Sequence, residues 1–327
     1  MSQRDAIRCW IGFFHMIRER LPGQTASAST PPNILRDLLT TARPKQWIKN
    51  GFVFAALVFA GKLGHFDLVA KTVVGFILFS LLSSTVYLLN DAADADADRK
   101  HPLKANRPIA AGRIPVRLAV TVSVAVGIAT LAVSALVDYR FGLVALAYLS
   151  LSVAYTFWLK HLVLLDVFTI AGGFVLRAMA GATIIHVSIS PWLYLCTILL
   201  SLFLGFGKRR HELLLLEGSA GVHRRNLEEY TGPLLDDLIN IVAAATIIAY
   251  SMYTFFASAV PQNRAMMVTI PFVLYGVFRY LLLIHRTDFG GAPEEAVWRD
   301  FPLLIDLVLW AATSAAILHL HASLHNF

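Results

Sequence analysis

The sequence predicts an all-α polytopic membrane protein of nine transmembrane helices, with a cytoplasmic cap over one mouth of the bundle. Three observations lead there. Of 327 residues, 57% are apolar and only 15% are charged, against about 25% charged in soluble domains. The apolar runs are continuous rather than alternating, which suits helices and not a closed barrel. Lys and Arg collect in every second loop, the asymmetry expected of cytoplasmic segments. A chain with a mean hydropathy of +0.63 has too little polar surface to face water all round. Disorder and a disulfide scaffold are excluded as its main character. Cys9 and Cys196 are far apart, and the second lies inside an apolar run.

In order, the expected spans lie at about 47–64, 68–89, 115–137, 140–159, 162–186, 190–207, 234–260, 265–285 and 301–324. The first is the shortest and rests on Trp47 and Lys49 at its entrance. Residues 1–42 form a separate segment. Ile7, Trp10, Ile11, Phe14 and Ile17 recur at helical spacing among Arg4, Arg8, Arg18 and Arg20, which reads as an amphipathic helix on the membrane surface. A signal peptide cleaved near Ala26-Ser27-Ala28 is the rival, weakened by His15 within its short apolar core. Gln24 to Pro32 reads as a linker, and residues 43–327 as one transmembrane domain.

With an odd span count, the N-terminal stretch and the loops after spans 2, 4, 6 and 8 share one side. They hold 23 of the 28 Lys and Arg residues, while Lys62, Lys71, Arg140 and Arg264 lie on the other side and Arg177 within span 5. The charged side is therefore expected to be cytoplasmic. The net charge of +7 is read as these loops, not as nucleic-acid binding.

The loop after span 2 carries most of the chemistry. It reads Asn90-Asp91-Ala92-Ala93-Asp94-Ala95-Asp96-Ala97-Asp98. At roughly 100° per helical residue, Asp91, Asp94 and Asp98 fall within about 60° of one another, with Asn90 beside Asp94 and Asp96 on the far side. Oxygen-only ligands on one face suit Mg²⁺; the bland alternative is a solvated acidic turn. Next comes His101-Pro102-Leu103-Lys104-Ala105-Asn106-Arg107-Pro108. Its prolines break the helix, so that Lys104 and Arg107 can fold back over the carboxylates. Cations beside a metal cluster are the pattern of a polyphosphate site, against ordinary positive-inside charge.

After span 6, Lys208, Arg209 and Glu212 share a helical face. Spans 2 and 6 end on the same side, so the two loops can face each other across a mouth. Tyr155, Lys160 and Asp166 can line it, and Lys45 and Asn50 flank the entrance to span 1. Arg177, deep in span 5, reads equally as substrate-binding or as a structural pair. Pro293-Glu294-Glu295 reads as a solvated cap; His319, His321 and His325 suggest metal only weakly.

Asn90-Asp91-x-x-Asp94-x-x-x-Asp98 resembles the first aspartate-rich motif of the UbiA superfamily of intramembrane prenyltransferases. Arg43-Pro44-Lys45-Gln46-Trp47-Ile48-Lys49-Asn50, Tyr87-Leu88-Leu89-Asn90-Asp91 and His101-Pro102-x-Lys104-x-x-Arg107-Pro108-Ile109-Ala110-Ala111-Gly112 narrow the resemblance. So do Leu176-Arg177-Ala178-Met179-Ala180-Gly181, Gly207-Lys208-Arg209-x-x-Glu212 and Glu228-x-Tyr230-Thr231. Together, from about residue 43 to 300, they are similar to the decaprenyl-phosphate phosphoribosyltransferase branch. Typical superfamily members carry a second aspartate-rich motif after span 6, where this chain has two cations and one acid.

The resemblance implies a UbiA-like bundle and transfer of phosphoribose from phosphoribosyl pyrophosphate to a polyprenyl (decaprenyl) phosphate, a step towards an arabinan precursor of the cell wall. In that reaction Asp91, Asp94 and Asp98 would hold Mg²⁺. Asp91, Asp94, Lys104 and Arg107 would be catalytic, and Lys45, Asn90, Tyr155, Lys160, Arg177, Lys208, Arg209 and Glu212 would bind substrate. The rivals are a UbiA-type prenyltransferase acting on an aromatic or sugar-phosphate acceptor, and a transporter. The latter would need polar residues through to both faces, whereas the ionisable clusters gather on one. The sequence is compatible with a homo-oligomer and leaves the prenyl length open.

Overall fold

A computed structural model describes residues 33–100, 104–188, 190–217, 229–257, 260–261, 263–286 and 299–325. The surface helix expected before residue 33, residues 101–103, and the segments 218–228 and 287–298, on which much of the expected cap falls, lie outside the described residues. Among those described there are helices and no strand. In chain order they are α1 (Ile34–Ala42), a 3₁₀ segment (Pro44–Phe54), α2 (Ala55–Phe59), α3 (Phe66–Ala93), α4 (Ala95–Lys100), α5 (Val116–Val137) and α6 (Tyr139–Phe157). Then follow α7 (Leu165–Ile184), α8 (Pro191–Glu217), α9 (Gly232–Phe256), α10 (Ile270–His285) and α11 (Phe301–His325).

Eight of the described helical segments are long and apolar enough to cross a membrane, and the protein is multi-pass. Large apolar side chains such as Leu136, Leu143, Ile241, Ile248, Phe278 and Val308 point outward, as lipid-facing surfaces do. Side-chain caps set several starts. Asp138 accepts from the Phe141 amide at 2.8 Å and Thr231 from the Leu234 amide at 3.3 Å, with Pro233 in the first turn of α9.

The expected first span, 47–64, takes a different form. It is a 3₁₀ segment followed by a five-residue helix, and the chain turns at Gly61 with φ 64°. Tertiary contacts impose this shape. A Cβ on Gly181 would lie 1.8 Å from the Val53 carbonyl oxygen, so backbone meets backbone where only glycine fits. Asn50, fully buried, donates to Ser80 Oγ at 3.1 Å.

The chain forms two compact units. One is built from the described residues up to Lys45 with Ser83–Ile128, the other from Gln46–Leu82 and the described residues from Ala129 onward. In the first, Leu88, Ala92, Ala95, Ile109, Ile114 and Ala119 make the core, with Leu38 of α1 packed against them. Ser84 also donates to the Ala42 carbonyl at 3.1 Å. In the second, one core joins α7 to α10 through Val167, Phe203, Phe206, Leu235, Ile239 and Ile284. Another sets Val53 and Leu57 against Phe79, Phe141, Tyr148 and Ala180.

Candidate active site

The acidic run begins on the last turn of α3. The helix breaks at Asp94, yet the Asp94 amide still bonds the Asn90 carbonyl at 2.9 Å and the Asp98 amide the Asp94 carbonyl at 2.8 Å. Helical register therefore survives into α4, and the carboxylates keep the expected faces. Asp91 and Asp98 are buried, at 2% and 4% exposure. Asn90 donates to Asp94 Oδ2 at 3.2 Å. Asp96 is exposed and pairs with Arg99 Nη1 at 2.7 Å, a solvated pair on the far side.

The turn after α4 returns Arg107 to these acids. The Arg107 amide bonds Lys104 O and the Ala111 amide bonds Arg107 O. Gly112 supplies the left-handed corner at φ 77°, and Ile109 and Ile114, each 1% exposed, anchor the loop in the core. Arg107 Nη1 then bridges Asp91 Oδ1 at 3.2 Å and Asp98 Oδ2 at 2.7 Å. Arg43 Nη2 reaches the same Asp91 oxygen at 2.5 Å and lies 5.0 Å over the Tyr87 ring. Lys104 opens the turn, half-buried.

No group of three His, Cys, Asp or Glu side chains converges as a metal site among the described residues. The Arg107 guanidinium stands between Asp91 and Asp98, and that of Arg43 covers Asp91. The donor set still fits a hard divalent cation: carboxylate and amide oxygens at one helix end, with no thiol or imidazole in the cluster among the described residues.

In the second unit, Lys208, Arg209 and Glu212 lie on α8, which runs on to Glu217 instead of ending in a loop at 207. Arg209 is buried. Its Nε faces Asp166 Oδ2 at 2.7 Å, and its Nη1 donates to Glu212 Oε2. Tyr155 lies near the same guanidinium. Asp166, fully buried at the start of α7, accepts from Tyr230 Oη and from the Val167 amide, each at 2.9 Å. Burial pushes the Tyr230 phenol up, and the Asp166 carboxylate beside it adds to the rise, so Tyr230 stays protonated and donates. Arg210 turns away to Asp236 at 2.5 Å, tying α8 to α9. Lys208 and Lys160 are half-buried, and Lys45 is exposed.

Arg177, in the second unit, is buried in a socket of its own. Nε donates to Asn50 Oδ1 at 2.7 Å, Nη1 to the Gly173 carbonyl at 2.8 Å and Nη2 to Tyr148 Oη at 2.9 Å. Its guanidinium also lies 4.7 Å over the Tyr148 ring and 5.3 Å over that of Phe174. Neutral oxygens and ring faces solvate the charge, and the socket pins the 3₁₀ segment to α7. Of the two sequence readings of Arg177, these contacts match the structural one.

In the sequence alone Arg43 carries no role, and Asp166 reads only as a residue that can line the mouth. Both act through partners distant in the chain. The one local signal was that each is a charged residue beside an apolar run.

A family model described as the UbiA prenyltransferase family matches residues 51–299. The decaprenyl-phosphate phosphoribosyltransferase of Mycolicibacterium smegmatis is 33% identical over 318 residues, 93% of this chain and 98% of that protein. The enzyme of the same name from Corynebacterium glutamicum is 35% identical over 289 residues, 86% of each. Among solved structures, a UbiA homolog from Archaeoglobus fulgidus bound to DMAPP and Mg²⁺ superposes with a TM-score of 0.64 at 19% identity, covering 86% of this chain and 99% of that one.

Proposed function

The chain belongs to the UbiA prenyltransferase family, and on that premise we propose that it transfers the 5-phosphoribosyl group of phosphoribosyl pyrophosphate to a polyprenyl phosphate of the decaprenyl type. One observation carries the reading: 33–35% identity, over most of both chains, to two decaprenyl-phosphate phosphoribosyltransferases. The site residues agree with it. Two metal-binding acid clusters would suit an isoprenoid diphosphate. One acid cluster plus the Lys208-Arg209 pair suits a reaction with more phosphates than metals, since each phosphate monoester carries about −1.5 to −2 charges at neutral pH.

Asp91, Asp94 and Asp98, with Asn90 assisting, would hold Mg²⁺, which when bound neutralises the donor diphosphate and eases its departure. Lys104 and Arg107 donate to the diphosphate oxygens and stabilise the leaving pyrophosphate. The bond from ribose C1 to the diphosphate oxygen breaks through an oxocarbenium-like state, as at other glycosyl centres. An oxygen of the lipid phosphate forms the new bond from the opposite face, so C1 inverts. No strong base is needed, because a phosphate oxyanion is already a nucleophile. Lys208 and Arg209 place a phosphate that carries no metal, either the lipid's or the donor's 5-phosphate. Glu212 orients Arg209, and Tyr155, Lys160 and Lys45 border the substrates. The segregation of Lys and Arg supports a site opening to the cytoplasm from the bacterial inner membrane.

The test is to incubate the purified protein with polyprenyl phosphate and labelled phosphoribosyl pyrophosphate, and separately with a polyprenyl diphosphate and aromatic or sugar-phosphate acceptors. Mass spectrometry should find the phosphoribosylated lipid from the first mixture, dependent on Mg²⁺. Prenylated acceptor from the second, with no product from the first, would overturn the reading.

A further inference from the structure

We infer that Asp166 is a positioning residue that fixes the direction of the Arg209 guanidinium towards a metal-free phosphate, and that Tyr230 locks Asp166 in place. The inference rests on the proposed reaction and adds two residues to it. A guanidinium is planar, so holding two of its nitrogens sets where the third points. Asp166 Oδ2 holds Nε at 2.7 Å, and Glu212, one turn ahead on the same helix, holds Nη1. Among the described residues, these contacts leave the two Nη2 hydrogens and the second Nη1 hydrogen for a phosphate.

The anchor is itself anchored. Asp166 has no exposure, and its second oxygen is taken by Tyr230 Oη and the Val167 amide. Tyr230 Oη in turn accepts from the Leu164 amide at 2.7 Å. Leu164 adopts φ 66°, ψ −45°, a backbone state that a leucine rarely enters and that costs free energy to hold. That conformation aims its amide at the phenol oxygen. Three stretches of chain thus meet on one carboxylate: the start of α7, the middle of α8 and the approach to α9. Arg209 arrives at the substrate already aligned, and alignment made before binding is not lost from affinity.

A buried ion pair that only holds the fold is the competing explanation, and a double-mutant cycle separates them. Asp166→Asn and Tyr230→Phe are made singly and in an Arg209→Gln background. The double Asp166→Asn/Arg209→Gln variant leaves neither buried charge unpaired. KM and kcat are measured for phosphoribosyl pyrophosphate and for polyprenyl phosphate, together with Tm and the Mg²⁺ dependence.

Asp166→Asn should raise KM for one of the two substrates about tenfold or more, the effect of losing a charge-assisted contact. Tyr230→Phe should raise the same KM about threefold. Neither should shift the Mg²⁺ dependence, and both effects should vanish in the Arg209→Gln background. Losses that persist there in full, or that fall on Tm and kcat with KM unchanged, overturn the inference. Should Asp166→Asn fail to fold, Tyr230→Phe carries the same comparison. Calorimetric binding of phosphoribosyl pyrophosphate and of farnesyl phosphate reads it without turnover. Absence of phosphoribosyl transfer by the wild-type protein would instead count against the proposed reaction, and the binding contrast would still decide the role of Asp166.

Discussion

Asp91 and Asp166 are both buried aspartates paired with arginine, but the arginines differ. Around Asp91, the side chains of Arg43 and Arg107 keep 29% and 28% of their surface in solvent. Opposite Asp166, Arg209 keeps 3%. Water can take over a half-exposed guanidinium when it leaves its carboxylate, so the loss is modest. A fully buried one leaves an unpaired charge behind and stays. The first cluster is therefore suited to exchanging its cations, and the second to keeping its own. That division matches the two tasks proposed: acids that give up guanidinium groups to receive metal and diphosphate, and an arginine held in one direction for a phosphate.

The largest effect should come from the exchanging cluster. Asp91→Asn, Asp94→Asn and Asp98→Asn should each lower kcat/KM by about 100-fold or more, the scale of losing a group that stabilises transition-state charge. Asp96→Asn should stay within about twofold, because it removes only an exposed pair with Arg99. Steady-state kinetics of the four variants decide it. Equal losses in all four would mean that the run acts as a diffuse acidic patch and that its register carries no chemistry.

Arg107→Gln tests the exchange itself and should act with opposite sign on two ligands. Without the guanidinium between Asp91 and Asp98, Mn²⁺ in place of Mg²⁺ should bind the free protein more tightly, by about threefold to tenfold as read by electron paramagnetic resonance. Phosphoribosyl pyrophosphate should bind about tenfold more weakly. Weaker binding of both ligands would show that Arg107 shapes the cluster and does not trade places within it.

The legibility of these regions in the sequence follows the same line. The acid spacing was readable because helical register is local: the Asn90-to-Asp94 and Asp94-to-Asp98 backbone bonds preserve it across the break. The solvated place of Asp96 follows from the same arithmetic. Seven of the eight long spans are readable within a few residues, and the hydropathy pattern ends α8 some ten residues early, since hydropathy falls at Lys208 while the helix continues. What could not be read depends on distant partners. The 3₁₀ form of residues 44–54 is set by Gly181 and Arg177, more than a hundred residues away in the chain. The closure of Arg43 on Asp91 and of Asp166 on Arg209 leaves no periodic trace.

Glu212→Gln should have a smaller effect on the holding cluster. The amide oxygen can still accept from Arg209 Nη1, so orientation is kept in part and the charge-assisted share is lost. Initial rates should fall about threefold to tenfold, and raising Mg²⁺ should neither rescue nor worsen them. A shift in the Mg²⁺ dependence as large as that of Asp94→Asn would make this second cluster a metal site as well. The contrast drawn from Arg209 burial would then fail, and the choice of donor would lose its support from the site.

The smallest effect belongs to an ion pair outside both clusters, which asks whether burial alone separates holding pairs from exchanging ones. Arg279 on α10 meets Asp300, just before α11, through Nε at 3.0 Å and Nη2 at 2.7 Å. Asp300 also caps α11, accepting from the Leu303 amide at 2.9 Å. The Arg279 side chain keeps 25% exposure, like the exchanging arginines, yet it binds both carboxylate oxygens at once. These bonds hold the Asp300 carboxyl below the usual carboxylate range. A depressed folded value means that the unfolded chain takes up the proton first as acid is added. The pair's stabilisation is therefore complete above about pH 5 and is lost as pH falls through the folded value, below about pH 4. Asp300→Asn keeps the cap and removes the charge, so its Tm in detergent should lie a few degrees below wild type at neutral pH and converge with it in acid. A gap that stays constant down to the acid limit would show that the bidentate geometry contributes through packing, and exposure would stand as the sole property separating the two kinds of pair.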